Sequence, residues 1–179
     1  MVIGEFSTPS ATPTSSDPQV LISNFRNFLS FVGILKDDLK ESKANITDGK
    51  IMLWPKDIDQ KPIITKDFKT SLVWSEASKS ASNIEDYSII NFFFWPVDQT
   101  TFSTYPIKKT DAALADLKNG KGVIVKQPKE NNISITSVYL GYFESENYTP
   151  YLQPIYVFEG PNFVAYDSAI TSDYLSPAK

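Results

Sequence analysis

Apolar side chains recur at helical spacing in one segment near the start of the chain. They lie three or four residues apart, which places them on one side of a helix. These positions are Leu21, Phe25, Phe28, Leu29 and Val32. Asp17 can cap the helix, and Pro18 suits its first position. Gly33 can adopt the left-handed conformation that ends a helix, with Ile34 folding back onto it. The pattern predicts an amphipathic helix over residues 18–33 that packs against the rest of the fold.

A second, shorter helix is predicted over residues 110–119. Thr110 is a suitable N-cap, and Asp111 lies in the first turn, where a negative charge is favourable. The pair Asn119-Gly120 is typical of a helix end. The apolar side chains expected to be buried are Ala112, Ala113, Leu114 and Leu117.

Short apolar and β-branched runs, separated by turn-forming residues, predict strands through most of the remaining chain. The strongest covers residues 87–95, and the polar stretch 55–70 is predicted to be a loop. The other predicted strands are 50–54, 71–74, 100–105, 122–125, 133–143, 152–158 and 163–166. Because a helix followed by strands occurs twice, we predict an α+β fold. Its two helix-plus-antiparallel-strand units would form one sheet-rich body.

The composition along the chain suggests where these units begin and end. We expect an N-terminal α+β unit at 17–104, a C-terminal α+β unit at 105–175 and a tail at 176–179. Residues 1–6 are interpreted as a cloning remnant. The Ser, Thr and Pro residues at 7–16 predict an extended linker. Such a linker suggests that the native protein carries a transmembrane helix just upstream.

The chain contains no histidine and no cysteine. These absences exclude Ser-His-Asp and Cys-His catalysis, disulfides and zinc–thiolate sites. The net charge of −4 and the lack of a dense Lys/Arg cluster argue against binding to nucleic acid. No apolar run in the sequence is long enough to span a bilayer. We therefore predict a domain that is not an enzyme and that uses no cofactor or metal ion.

Two groups of acidic residues are the candidates for a catalytic or metal-binding site. The first group is Glu144, Glu146, Glu159 and Asp167. It could supply a glycosidase-type carboxylate pair, but solvated strand ends that keep a sheet edge soluble are favoured. The second group is Asp57, Asp59 and Asp67. Its spacing is not that of a calcium-binding loop, so an ordinary polar loop is favoured.

Aromatic residues are the remaining candidates for function. If residues 92–95 form a strand, alternation places two aromatic side chains on each face, and burial of both faces is favoured over an exposed patch. Tyr148 and Tyr151 lie in a loop between two predicted strands, where exposed tyrosines would suit protein binding. Burial of both tyrosines against the sheet is an equally favoured alternative. A carbohydrate- or cell-wall-binding module that uses exposed tyrosines is the alternative function.

The C-terminal half contains a recognisable succession of segments between residues 105 and 170. A helix at 112–118 ends in Gly120-Lys121-Gly122, and the strand Tyr-Leu-Gly-Tyr-Phe at 139–143 follows. The succession continues with Leu-Gln-Pro-Ile-Tyr-Val-Phe-Glu-Gly at 152–160 and Phe-Val-Ala-Tyr at 163–166. It resembles the extracytoplasmic domains of the YycH/YycI type and, more loosely, PepSY-like domains.

This resemblance implies a membrane-anchored bacterial protein whose domain lies on the extracytoplasmic face of the cell membrane. Members of this kind regulate a protein partner and do not catalyse a reaction. We therefore expect a regulatory or protein-binding domain, with Tyr148 and Tyr151 as the candidate contact residues. The resemblance does not identify the partner.

Overall fold

The computed structural model describes residues 2–5, 17–77, 86–129 and 132–174. These residues contain more strand than helix, so the predicted α+β class is confirmed. The helices are α1 (Pro18–Phe31), α2 (Asp37–Lys40) and α3 (Thr110–Lys118). The strands are β1 (Val2–Glu5), β2 (Ala44–Thr47), β3 (Lys50–Leu53), β4 (Ile63–Thr65), β5 (Val73–Ala77), β6 (Tyr87–Phe92), β7 (Val123–Lys126), β8 (Ser137–Glu144), β9 (Gln153–Gly160) and β10 (Phe163–Ser168).

The chain divides into two compact units. The first comprises Met1–Lys56 and Lys69–Pro96, and the second comprises Asp57–Phe68 and Val97–Lys179. The sequence pattern places residues 57–68 in a loop of the N-terminal unit. In the structure this segment belongs to the second unit, because it contains β4, which pairs in parallel with β8. The prediction of a structureless segment there is therefore wrong.

The N-terminal segment is partly described. Residues 2–5, which the sequence suggests are a remnant outside the fold, form β1 and pair antiparallel with β6. The predicted linker at 7–16 and the tail at 176–179 lie outside the described residues. No helix in the described part of the chain is long and apolar enough to cross a membrane.

The first unit packs α1 against an antiparallel sheet with the strand order β1-β6-β5-β3-β2. The Asp17 side chain accepts a hydrogen bond of 2.8 Å from the backbone N–H of Gln19, which confirms the predicted cap. At the other end Gly33 has a φ of +77°, and the N–H of Ile34 donates to the carbonyl of Leu29. Ile34 then packs against the core, as the sequence predicts.

A hairpin absent from the predicted elements joins β2 to β3. Its turn is formed by Asp48 and Gly49, whose φ angles are +51° and +76°. Positive φ at both central residues is typical of the tight turns that match the twist of paired strands, and Asp-Gly is a preferred sequence for them. The local signal for this hairpin was therefore present in the chain.

The aromatic run at 92–95 does not continue the strand that precedes it. β6 ends at Phe92, which is buried, and Phe94 packs against the same core. Phe93 and Trp95 are half-buried. Because the run leaves the strand at its first residue, its side chains do not alternate between two sheet faces, and that expectation is wrong.

Tyr87 buries a polar hydroxyl group in the core of the first unit, and substitution can test what this burial costs. The side chain is 1% exposed, and its hydroxyl has no hydrogen-bond partner among the described residues. Burial, together with the charge of Asp86, raises the pKa of Tyr87, so the hydroxyl stays protonated. We expect Tyr87→Phe to raise the free energy of unfolding by about 1 kcal/mol, because it removes an unsatisfied buried polar group.

The matched control for Tyr87 is Tyr166→Phe. The Tyr166 hydroxyl is also in a buried side chain, but it donates to the carbonyl of Thr65 at 3.1 Å. We expect this variant to lower the free energy of unfolding by about 1 kcal/mol. Urea denaturation of both variants measures the two effects. A clear loss of stability in Tyr87→Phe would contradict the assignment.

The second unit contains a sheet with the order β4-β8-β9-β10-β7. Helix α3 packs against β10. Side chains of β9 alternate between two cores: Tyr156 and Phe158 lie on the side of α3, whereas Ile155 and Val157 pack on the opposite face. Both faces of this sheet therefore contribute to the hydrophobic core.

Two details of the second unit differ from the sequence predictions. Thr110 is the first residue of α3 and not its cap; the cap is Lys109, and Ala112 is exposed. No strand forms at residues 100–105. An isolated bridge between Ile107 and Ile170 follows this segment in the chain. A β-branched and aromatic composition does not form a strand where no neighbouring strand is available to pair with it.

Candidate functional site

The loop between β8 and β9 presents the two tyrosines singled out by the sequence. β8 ends at Glu144 and β9 begins at Gln153. The Tyr148 side chain is 69% exposed, and that of Tyr151 is 79% exposed. The alternative in which the loop folds back and buries both rings is therefore wrong. Two aromatic rings are instead presented on a single loop.

Local hydrogen bonds define the conformation of this loop. The Asn147 N–H donates to the Ser145 hydroxyl at 3.2 Å, and the Thr149 hydroxyl donates to the carbonyl of Tyr151 at 3.2 Å. Pro150, between the two tyrosines, fixes its own φ angle. A loop that is already ordered loses less conformational entropy when a partner binds.

The base of the loop is anchored in the sheet. The Gln153 side chain donates from its Nε2 atom to the Ser168 hydroxyl at 2.9 Å, which links the start of β9 to the end of β10. Residues at the end of a rigid sheet are a common place for binding groups, because the sheet fixes their position. The loop therefore combines exposed aromatic area with a fixed support.

Comparison with known proteins identifies no relative of this chain. No protein-family model, no curated protein and no solved structure matches the chain. The resemblance to YycH/YycI-type domains therefore stays a prediction from the sequence.

The structure does not bring Glu144 and Glu159 together. Glu159 pairs with Ser137 at one end of the β8–β9 hairpin, whereas Glu144 lies at the loop end, beyond the pair Phe143 and Gln153. Six residues of extended strand separate the two ends by roughly 20 Å. That distance is far beyond the separation of a glycosidase pair.

The remaining carboxylates occupy different surroundings. Asp167 lies on the side of the sheet that faces α3. Glu159 lies on the opposite side, where its carboxylate accepts a hydrogen bond of 3.3 Å from the Tyr139 hydroxyl. Glu146 is exposed in the loop, but Glu144 and Asp167 are buried. The interpretation of the whole group as solvated strand ends is therefore wrong for these two residues.

A charged cluster that the sequence pattern does not predict joins α3 to the sheet. The Lys108 Nζ atom lies 2.7 Å from a carboxylate oxygen of Asp167 and 2.9 Å from one of Asp116. Lys121 contacts the other oxygen of Asp116 at 2.9 Å. The Tyr156 hydroxyl donates to the backbone carbonyl of Lys108 at 2.7 Å, which fixes this residue from a second direction. No local motif marks the cluster, because its members come from separate elements.

The electrostatics of this cluster favour the charged forms of Lys108 and Asp116. Burial lowers the pKa of Lys108, but hydrogen bonds and charge attraction from Asp167 and Asp116 outweigh it, so the net pKa is raised. Hydrogen bonds from Lys108 and Lys121 lower the pKa of Asp116. Because both carboxylates engage the Lys108 ammonium, the cluster suits a structural clamp better than proton transfer.

Asp59 and Asp67 take part in local turns, and Asp57 lies just before the turn that contains Asp59. Asp59 and Gln60 have φ angles of +49° and +62° in a tight turn between Ile58 and Lys61. The carbonyl of Asp67 accepts a hydrogen bond from the Thr65 hydroxyl. Within the described ranges of the chain, no cluster of three or more potential ligands could hold a metal ion.

A further group of exposed aromatic residues lies outside the β8–β9 loop. Phe102 is 78% exposed, and the rings of Tyr105 and Tyr174 meet edge to face with centroids 5.7 Å apart. This group was not predicted from the sequence, because residues 100–105 were expected to form a strand. The signal was the run of turn-forming and polar residues around Asp98, which precedes an irregular segment.

Proposed function

We propose that this protein is a non-enzymatic binding domain that recognises a protein partner through its β8–β9 loop. Tyr148 and Tyr151 are the contact residues. The exposure of both rings on one supported loop carries the proposal. Tyrosine provides a large contact area with only two side-chain torsions to restrict, so it is enriched among residues that dominate binding energy.

The proposed setting is the extracytoplasmic face of a bacterial membrane, where the domain would have a regulatory role. Two sequence observations support this setting: the Ser/Thr/Pro-rich segment at 7–16 and the resemblance to YycH/YycI-type domains. The proposal of binding over catalysis is supported by the absence of histidine and cysteine and by the separation of Glu144 from Glu159.

The test compares Tyr148→Ala/Tyr151→Ala with the wild-type protein. A photo-crosslinking amino acid at position 151 first identifies a partner in cells, and the purified partner is then titrated against both proteins. We expect the double variant to bind at least about tenfold more weakly, because truncation of a tyrosine that dominates an interface costs about 2 kcal/mol or more. The melting temperature should stay within about 1 °C, since both side chains are exposed.

A matched control is Phe31→Ala/Phe102→Ala, which removes two aromatic rings that are 87% and 78% exposed but lie outside the loop. This control should bind the partner like the wild type. Equal weakening by both double variants would indicate general surface stickiness and contradict the proposal. Tyrosine-dependent retention on purified peptidoglycan, without a protein crosslink, would favour the carbohydrate-binding alternative instead.

A further inference from the structure

The two edges of the second unit's sheet differ in how well they are covered. The edge strand β4 has three residues, all of them buried. The opposite edge strand, β7, exposes Val123 by 62% and Ile124 by 49%. Among the described residues, no strand pairs with β7 on the side away from β10. An uncovered edge presents backbone donors and acceptors that can pair with another strand.

The short segment that connects α3 to β7 fixes the position of β7. Gly120 ends the helix with a φ of +75°, which a non-glycine residue adopts only with strain. A Cβ atom on Gly122 would lie 2.8 Å from both the Leu117 side chain and the carbonyl oxygen of Tyr166. The glycine therefore allows the chain to enter the sheet in close contact with α3 and β10.

The chain segment that forms β7 and its flanks carries a charge opposite to that of the whole protein. The chain carries a net charge of −4, but residues 118–129 contain four lysines and no acidic residue. The lysines are Lys118, Lys121, Lys126 and Lys129, and all are exposed. Lys121 is paired with Asp116, and Lys126 contacts the neutral side chain of Asn162 at 3.4 Å. A positive charge therefore remains beside the apolar residues of β7.

We propose that β7 is a docking edge for an extended, acidic segment of a partner protein, which adds a strand to the sheet. Backbone hydrogen bonds supply the pairing, as in other cases of strand addition. Val123 and Ile124 offer apolar contacts, and the lysines attract carboxylates on the incoming strand. Because the exposed residues and charges belong to β7 and its flanks, the proposal does not depend on Tyr148 or Tyr151.

The same charges decide between an acidic partner and a second copy of this chain. Pairing two β7 strands would place two groups of four lysines beside each other. Like charges directly opposite on paired strands are destabilising. Lysines on an edge strand are a recognised means of preventing such self-pairing. The acidic segment is therefore the favoured occupant.

The first experiment uses three synthetic peptides of about ten residues, near the upper length of a natural strand. One alternates valine with glutamate, one alternates valine with lysine, and one is the acidic peptide with every second backbone nitrogen methylated. We expect the acidic peptide to bind the full chain at least about tenfold more tightly than either control. The binding should weaken as salt rises, because exposed charges are screened.

Hydrogen exchange measured by NMR locates the bound peptide. Amide protons of residues 123–126 that face away from β10 should become protected only with the acidic peptide. Lys126→Glu/Lys129→Glu should reduce its affinity at least about tenfold. Lys36→Glu/Lys66→Glu, which makes the same change in net charge at exposed positions elsewhere, should have little effect.

Several outcomes would overturn the proposal. Failure of the acidic peptide to bind is one, and equal binding of the lysine peptide or the methylated peptide is another. A dimer of the wild-type chain in sedimentation experiments, with protected β7 amides and no peptide present, would identify a second copy as the occupant. Tyr148→Ala/Tyr151→Ala should keep its affinity for the acidic peptide, so failure of the loop proposal is distinguishable from failure of this one.

Discussion

Asp167→Ala is expected to lower the free energy of unfolding of the second unit by about 3 kcal/mol. The Asp167 side chain is 5% exposed, and its partner Lys108 is 13% exposed. Removing the carboxylate leaves a largely buried ammonium with one fewer counter-charge. We expect the lower end of the usual range for a broken buried pair, because Asp116 stays within 2.9 Å of Lys108. Chemical denaturation followed by hydrogen exchange in α3 and β10 measures the effect.

Two further variants distinguish the effect of losing a buried charge from the effect of losing side-chain packing. Lys121→Met removes the ion pair between Lys121 and Asp116 in the same cluster. Because the Lys121 side chain is 68% exposed, the free energy of unfolding should change by no more than about 0.5 kcal/mol. Lys108→Met/Asp167→Leu replaces the buried pair by apolar side chains and should recover much of the lost stability. If Asp167→Ala is no more destabilising than Lys121→Met, the cluster is not the clamp that the geometry indicates.

Gly160→Ala is expected to cost about 3 kcal/mol of unfolding free energy through a direct backbone clash. A Cβ atom at this position would overlap the carbonyl oxygen of Ser134. Neither group can turn aside like a flexible side chain, so the segment at 132–136 must move away from β9. That movement should weaken the hydrogen bond of 2.8 Å that the Thr136 N–H donates to the carbonyl of Glu159.

The control for this variant is Gly120→Ala in the same unit. A Cβ atom there meets nothing within 4 Å, so the cost comes from its φ of +75° alone. We expect about 1 kcal/mol, the usual penalty for a left-handed residue with a side chain. Thermal unfolding compares the two, and hydrogen exchange at Thr136 shows whether the neighbouring segment moves. A smaller effect for Gly160→Ala than for Gly120→Ala would contradict the clash.

The candidate binding loop was partly predictable from the sequence. Turn-forming residues between two apolar runs placed Tyr148 and Tyr151 between strands, where the structure finds them. Their exposure was not predictable, because tyrosine suits a buried site and a surface site equally well. The exposed edge at β7 was also hidden: its Val-Ile-Val sequence is typical of a central strand, and only the strand order makes it an edge.

Local interactions account for the elements that the sequence alone determined. α1 follows from its apolar spacing, the Asp17 cap and Gly33, all of which act within one or two helical turns. The strands that became β6, β9 and β10 follow from β-branched and aromatic runs between turn residues. In each case the residues that favour the structure lie next to one another in the chain.

Tertiary structure decided the features whose partners lie far apart in the chain. β4 forms in a polar stretch because β8 offers it a parallel neighbour, whereas no strand in the described part of the chain pairs with residues 100–105, which stay irregular. Asp167 is buried as a charged group because Lys108 reaches it in the folded chain. Strand pairing and charge burial both depend on groups brought together only by folding, so their outcome is not encoded in any local segment.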